Sequence, residues 1–414
     1  MNIAFLTHTS NYYGANRSLA ALISELHPFR AKAFLIAPEE GDATRRLGQM
    51  GVRVAIIPGI RAFRSMENRN TSFSYSNDDV LDPFTDHRNA NTTVIEKLVA
   101  QLGEWQIHLI YSNSSIISAG AKASRILELP HIWHLREFGD LDYNREPLEG
   151  WHNTRSDITR ANATISVSNA VRRHLCTDPD DDNNFVIDNG VFRRKTFDSL
   201  YKLRKQRADS LSRLRPFTFV LVGRIQHGKG QHTAIKALSI LKKNAIDARL
   251  IMVGGGETSA LQALASRLGV SDLVCFRGYV DEPIREMLGA DALLMCSRFE
   301  AFGRVTAEAM GTGLAVIGRN SGGTPELIHH GINGMLYSGG HRDLANCMLQ
   351  LATDRNRSRE IGAEGWIMAR KRFSIEQYAS SVWDVISAHG RKASSPAPAP
   401  VLRAQAKATQ TDTQ

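Results

Sequence analysis

The sequence predicts two doubly wound α/β domains, each a parallel sheet with helices on both faces, lying side by side across a cleft. Three observations carry that expectation. Short, continuously apolar runs alternate with helix-like stretches along most of the chain, the pattern of strands buried on both sides. One strongly basic stretch interrupts the alternation and leaves a strand series on either side. At 414 residues the chain is too long for one comfortable core and suits two.

In chain order, the first series comprises NIAFLT, KAFLIAP, RVAIIP, IHLIYSN, HIWHL and ATISVS, separated by stretches such as NRSLAALISEL and TTVIEKLVAQL. It predicts an amino-terminal domain over residues 1–190. Within it, the polar Asn/Ser-rich stretch 59–92 breaks the rhythm. A loop of that length is either an acceptor-facing element or a surface excursion. Residues 191–215, with nine Lys/Arg against two Asp, form the predicted basic linker. The second series, FTFVLVG, RLIMVG, LVCFRG, ALLMCS, LAVIG and GMLY, predicts a carboxyl-terminal domain over 216–373. A helix over 374–390 follows, and the Ala/Pro/Gln/Thr-rich stretch 391–414 reads as disordered.

Composition narrows the function classes. The formal net charge is +9, yet residues 191–215 hold +7 and residues 390–414 hold +3, which leaves −1 for the rest. The surface is therefore not generally cationic, and no nucleic-acid motif is present, so a nucleic-acid partner is not expected. Phe197, Leu200 and Tyr201 at helical spacing among the cations suit either an anionic membrane surface or a solvated connector. Cys176, Cys275, Cys296 and Cys347 are scattered, with neither metal-site nor disulfide spacing. The start of the sequence enters a strand directly, and no apolar run approaches the ~20 residues of a membrane span. The expectation is a cytoplasmic protein, peripheral at most at the inner face of a membrane.

Ligands of open α/β sheets sit beyond the carboxyl ends of strands, where loops and helix amino termini converge. Four junctions of the second series carry such chemistry. In VGRIQHGKGQ (222–231), Gly223, Gly228 and Gly230 permit a sharp turn, while Arg224 and Lys229 bring two cations to one corner. A diphosphate wants that combination, although the spacing is not a Walker A and a plain turn with solvated charges has the same residues. MVGGGETSAL repeats the strand–glycine–helix form without GxGxxG. FRGYVDEPIREML places Gly278 and Tyr279 at a strand end, where a nucleobase could rest against backbone. EAFGRVTAE (300–308) sets Glu300 before a helix and Glu308 inside it, with Phe302 and Gly303 between. Glu308 suits a ribose diol, Glu300 suits sugar hydroxyls, and the helix terminus suits an anion.

Together these segments resemble a known family. SRFEAFGRVTAEAMGTGLAVIGRNSGGTPELIHHGINGMLY is similar to the signature of the group 1, family four retaining glycosyltransferases: a Glu, seven residues, a second Glu, then Gly-Gly-x-Pro-Glu. VGRIQHGKG resembles their phosphate-gripping segment, VIDNGV their domain-crossing loop, and SVSNAVRRHL the serine-containing segment ahead of it. The likeness spans roughly 1–390 and is strongest over 217–337. It implies a GT-B fold, two Rossmann-like domains, with a nucleotide-sugar donor held mainly by the second. Position by position, it implies Arg224 and Lys229 on the donor diphosphate, Glu308 on the ribose and Glu300 on the transferred sugar. His134 in WHLREFG matches a family histidine near that sugar, a buried strand histidine being the alternative. Gly14 in YYGANRSL matches the glycine loop by the β-phosphate, although Tyr13 stands where the family has a second glycine.

The implied activity is transfer of a sugar, with retention, to a hydroxyl of a growing glycan or lipid-linked acceptor, in polysaccharide or lipopolysaccharide synthesis. No cofactor is expected, and cations with a helix dipole take the place of a metal. A non-catalytic nucleotide-sugar-binding scaffold and a sugar-nucleotide epimerase are the competing readings.

Overall fold

The computed structural model describes residues 1–26, 29, 31–60, 63–65, 87–210 and 215–390. The centre of the 59–92 insertion and the 391–414 tail, for which expectations are stated above, lie outside the described residues.

The strands of the chain are β1 (Asn2–Leu6), β2 (Lys32–Ala37), β3 (Arg53–Ile56), β4 (Phe63–Ser65), β5 (Leu109–Ser112), β6 (His131–Leu135), β7 (Arg145–Pro147), β8 (Ala163–Ser166), β9 (Asn184–Val186), β10 (Phe217–Val222), β11 (Ala248–Val253), β12 (Val274–Phe276), β13 (Ala292–Met295), β14 (Ala315–Arg319) and β15 (Met335–Tyr337). Seven form one sheet in the order β3-β2-β1-β5-β6-β8-β9. Six form a second in the order β12-β11-β10-β13-β14-β15. Both are parallel, which explains their continuous apolar runs: helices cover both faces, and residues such as Phe5, Leu35, Leu250 and Ile317 are wholly buried. The fold is the predicted one, two Rossmann-like α/β domains. Each sheet reverses direction of strand order beside its first strand, at β1/β5 and at β10/β13. Loops leaving those strands diverge and open a crevice there.

The sequence reading lacks three short strands. β4 and β7 pair antiparallel, Phe63 opposite Pro147, apart from both sheets. β9 joins the edge of the first sheet beside β8. At three residues each, none shows an alternation that local pattern could detect.

The basic segment folds into a helix, Arg194–Ser210, docked on the second sheet's lobe. Phe197 is wholly buried, and Tyr201 stacks on Trp366 with ring centroids 4.3 Å apart. Arg204 donates to the carbonyls of Gly313, Met287 and Ala290. The apolar face foreseen for a membrane thus packs, at Phe197 and Tyr201, against protein.

The helix Ile375–His389 returns to the first lobe, where Tyr378, Val382, Val385 and Ile386 join Ile3, Phe5 and Leu19 in one core. Two strands of chain cross between lobes side by side. Val191 N–H donates to Phe373 O and Ile375 N–H to Phe192 O, both at 2.9 Å. Gly190 is required at that crossing, because a Cβ there would lie 2.8 Å from Ile375 Cα.

Candidate active site at the lobe junction

The two divergent loops of the second sheet meet at Lys229 and Glu300. After β10, residues His227–Lys229 form one 3-10 turn that ends on Gly230 in the left-handed region, φ 72°. A side chain at Gly230 would strike Cys296 O at 2.2 Å, so the turn can press against the end of β13 only with glycine. Lys229 Nζ then reaches Glu300 Oε1 at 2.5 Å. Glu300 is seated from the other side by Gly322 and Gly323: Gly323 N–H donates to Glu300 O at 2.7 Å, and a Cβ on Gly322 would stand 2.6 Å from that oxygen. Burial works against the Lys229 ammonium, but Glu300, Tyr143 and Asp142 outweigh it and hold the group charged, its pKa raised.

The remaining glycines of the corner pack backbone on backbone. A Cβ on Gly254 would meet Gly223 O at 2.0 Å, and Gly254 N–H donates to Gly278 O at 2.8 Å. Gly223 and Gly278 both have positive φ, 155° and 69°. Arg224 is exposed on this corner, and no ion pair joins it to Glu300 or Glu308 among the described residues. Tyr279 is 66% exposed and stands near enough to Tyr13 and Asp42 of the other lobe to feel their charges. Tyr13, itself 60% exposed, is the N-cap of the helix Gly14–Ser24.

Glu308 has other partners. Gly303, φ 90°, caps the helix Arg304–Gly311, and Glu308 on its inner face is 1% exposed. Arg304 Nη2 lies 3.3 Å and Arg17 Nη1 3.5 Å from Glu308 Oε1. Arg304 also donates across the junction to Ser18 Oγ at 2.6 Å and Gly190 O at 3.0 Å. Gly14 faces the same guanidinium stem: a Cβ there would sit 3.5 Å from Arg304 Cδ. The two acids of the signature therefore hold separate cations, Glu300 with Lys229 and Glu308 with Arg304 and Arg17.

Two expected ligand-facing residues are interior. His134 is wholly buried in β6, its Nδ1 2.5 Å from Tyr111 Oη, and burial pushes its pKa well below the usual histidine value. It is a neutral residue of the core beneath the site, and its buried Nε2 has no hydrogen-bond partner among the described residues. Phe302 is buried in the core, edge-on to Phe373 at 5.5 Å.

Beside them the first lobe carries the loop that follows β6. Glu137, 6% exposed, accepts hydrogen bonds from Ser114 Oγ and from Ser115 N–H at 2.8 Å. Asp142 accepts from Phe138 N–H at 3.0 Å and Gly139 N–H at 2.8 Å. Burial raises its pKa to about 6, the two N–H bonds opposing, with Glu300 adding to the rise and Lys229 countering it. Tyr143 lies within the field of Lys229, Asp142, Glu300 and Glu137. DxD spacings do occur in the sequence, at Asp140–Asp142, Asp178–Asp180 and Asp180–Asp182. Asp140 is engaged by His174 Nε2 at 2.8 Å. Among the described residues no cluster of three or more metal-type side chains occurs, and all four cysteines are free.

Residues 203–366 match the family model described as Glycosyl transferases group 1. Among characterised relatives, the chain is 34% identical over 184 residues to the GDP-mannose-dependent alpha-(1-6)-phosphatidylinositol monomannoside mannosyltransferase of Mycobacterium tuberculosis. That match covers 41% of this chain and 45% of the relative. The N-acetyl-alpha-D-glucosaminyl L-malate synthase of Bacillus anthracis is 33% identical over 147 residues, covering 34% of this chain and 39% of that one. The chain thus spans less than half the length of these relatives. Among solved structures, Anabaena Alr3699/HepE in complex with UDP superposes with a TM-score of 0.75 at 23% identity, over 94% of this chain and 100% of that one. WaaG, a glycosyltransferase involved in lipopolysaccharide biosynthesis, gives 0.64 at 15% identity over 93% and 99%. These two likenesses establish the GT-B fold.

Proposed function

Residues 203–366 match the family model of the group 1 glycosyl transferases, and from that likeness we propose that the chain belongs with them and transfers a sugar, with retention, from a nucleotide-sugar donor to a hydroxyl acceptor. The acceptor in this reading is a growing glycan or lipid-linked sugar of polysaccharide or lipopolysaccharide synthesis. The observation that carries it is the Lys229–Glu300 pair at the β10/β13 crevice, seated by glycines that clear space for backbone on both sides. The relative from Mycobacterium tuberculosis is named for a GDP-mannose donor, and Alr3699/HepE is solved with UDP, which supports a nucleotide sugar as substrate.

In transfer with retention, the anomeric C–O bond to the diphosphate breaks while the acceptor oxygen approaches from the same face. Positive charge grows on the sugar and negative charge on the leaving diphosphate. Lys229, Arg224 and the amino terminus of the helix Arg304–Gly311 are disposed to meet the diphosphate with fixed charge and dipoles. Glu300, beside Lys229, is placed to receive sugar hydroxyls. Glu308 is assigned to the ribose, which has then to share it with Arg17 and Arg304. The reading needs no divalent metal. A cytoplasmic site at the inner face of an anionic membrane is part of it. The support there is that Lys195, Lys202, Lys205 and Arg207 remain exposed on the helix Arg194–Ser210, beside exposed Leu203.

A panel of nucleotide sugars, screened by ligand-detected NMR and then assayed for hydrolysis and transfer with and without chelator, tests the proposal. Lys229→Ala is expected to lose ~3–4 kcal/mol of transition-state stabilisation, or ~10²–10³ in turnover, while the fold survives. Wild-type turnover in that variant would remove Lys229 from the mechanism. Donor binding without any turnover would favour the scaffold, and an epimerised donor would identify an epimerase.

A further inference from the structure

We infer that the loop Glu137–Asn144 of the first lobe forms one side of the transferred-sugar subsite, with Asp142 and Tyr143 as its specificity-determining residues. The inference rests on the donor reading above and assigns the sugar, as distinct from the nucleotide, to both lobes. The ligand class is a pyranose whose hydroxyls lie between the Asp142 carboxylate and Tyr143 phenol on one side and Lys229 with Glu300 on the other.

Four observations support it. The loop reaches across the cleft, since Phe138 meets Phe299, the residue before Glu300, edge-on at 6.3 Å. Asp142 and Tyr143 both lie within the field of Lys229 and Glu300, although more than eighty residues separate them in sequence. Tyr143 remains 56% exposed in that surrounding. The loop is also rigidly built. Asp142 ties down Phe138 N–H and Gly139 N–H, and Asp140 is clamped by His174. Asn144 closes the turn in the left-handed region, φ 54°, and Gly139, φ 87°, lets the Trp151 ring approach within 2.8 Å of where a Cβ would stand. Each Asp142 oxygen accepts one backbone N–H and keeps a second lone pair for a hydroxyl. A site on a fixed loop that hydrogen-bonds individual hydroxyls discriminates epimers far better than an apolar surface does.

The test uses the full chain and the variants Tyr143→Phe and Asp142→Asn. Binding of UDP and GDP is measured by calorimetry. Turnover is measured with UDP-glucose, UDP-galactose, UDP-N-acetylglucosamine and GDP-mannose. The expected result is nucleoside diphosphate affinity within about twofold of wild type, with kcat/KM for the preferred sugar lowered ~10- to 100-fold and the ranking of epimers compressed. Tyr143→Phe removes one exposed hydroxyl and spares the fold, so it decides the matter if Asp142→Asn loosens the loop. Wild-type kcat/KM and unchanged ranking in Tyr143→Phe, with Lys229→Ala inactive, would overturn the inference and leave the donor reading standing. A wild-type chain that binds neither UDP nor GDP and turns over no donor would overturn both.

Discussion

Among single residues, Glu137 is a carboxyl whose chemistry its surroundings alter strongly. Burial lifts its pKa to about 7, with Asp142 adding to the rise and Ser114, Ser115 and Arg136 opposing it. An unfolded chain ionises this carboxyl near 4.5. Below that pH both states are protonated and the site is neutral to stability. Between 4.5 and about 7 the unfolded chain has released a proton that the folded chain keeps, so stability falls as pH rises, and it levels off above. Glu137→Gln keeps an acceptor for Ser114 and Ser115 but cannot ionise. Its stability advantage over wild type should grow by up to ~3 kcal/mol from pH 4.5 to pH 8, read by urea unfolding at both pH values. Parallel pH curves for the two proteins would refute the assignment. Nothing in WHLREFG announces this: a histidine is the more conspicuous residue of the two, yet the β6 pleat turns His134 inward to Tyr111. The burial of Phe302 against Phe373 is equally silent in sequence, since sequence cannot say which way a residue beside a helix cap points.

At the scale of elements, the strands were legible because burial on both faces writes a continuous apolar run, and the glycine corners were legible because close backbone contact at Gly230 and Gly254 and positive φ at Gly223 and Gly278 favour glycine. What joins one element to another was not. Glu326, the acid of Gly-Gly-x-Pro-Glu, caps a helix of the opposite lobe: Ala170 N–H donates to Oε1 at 2.7 Å, and Asn169 N–H to Oε2 at 2.8 Å. Ser168 is the local cap of that same helix, Asn169–Leu175, accepting from Val171 N–H at 3.2 Å. A Ser-x-x pattern in sequence reveals the second cap and is blind to the first, which lies 156 residues away. Glu326→Ala should lower stability by ~1–3 kcal/mol, since it strands two helix-terminal donors. Hydrogen exchange is the direct check. The amides of Asn169 and Ala170 should lose protection while that of Val171, bonded to Ser168, is spared. Equal protection at all three would mean that water replaces the carboxylate without cost.

For the whole molecule, two lobes were foreseen, and their mutual attachment was not, because it depends on side chains from segments that no local period relates. The chain crosses between lobes twice, and the crossing is reinforced by Arg372 on Asp188, Arg193 on Glu25, and above all Arg304. Arg304 binds Ser18 and Gly190 while pairing with Glu308, an acid that is 1% exposed. Removing one partner of a buried ion pair leaves a charge without compensation and costs more than the pair itself contributes. Arg304→Met should therefore destabilise by ~3 kcal/mol, the lower end of the usual range because Arg17 still reaches Glu308. The double variant Arg304→Met/Glu308→Gln should recover much of that loss, since the only charge left without its partner is that of Arg17, whose side chain is 38% exposed, and the two changes should couple strongly in a double-mutant cycle. The lobes share core residues and two chain crossings, so wild type should unfold in one transition. The single variant should separate that transition into two, seen as probe-dependent urea curves. Additive energies and a single transition in Arg304→Met would place the coupling between lobes elsewhere, in the returning helix Ile375–His389.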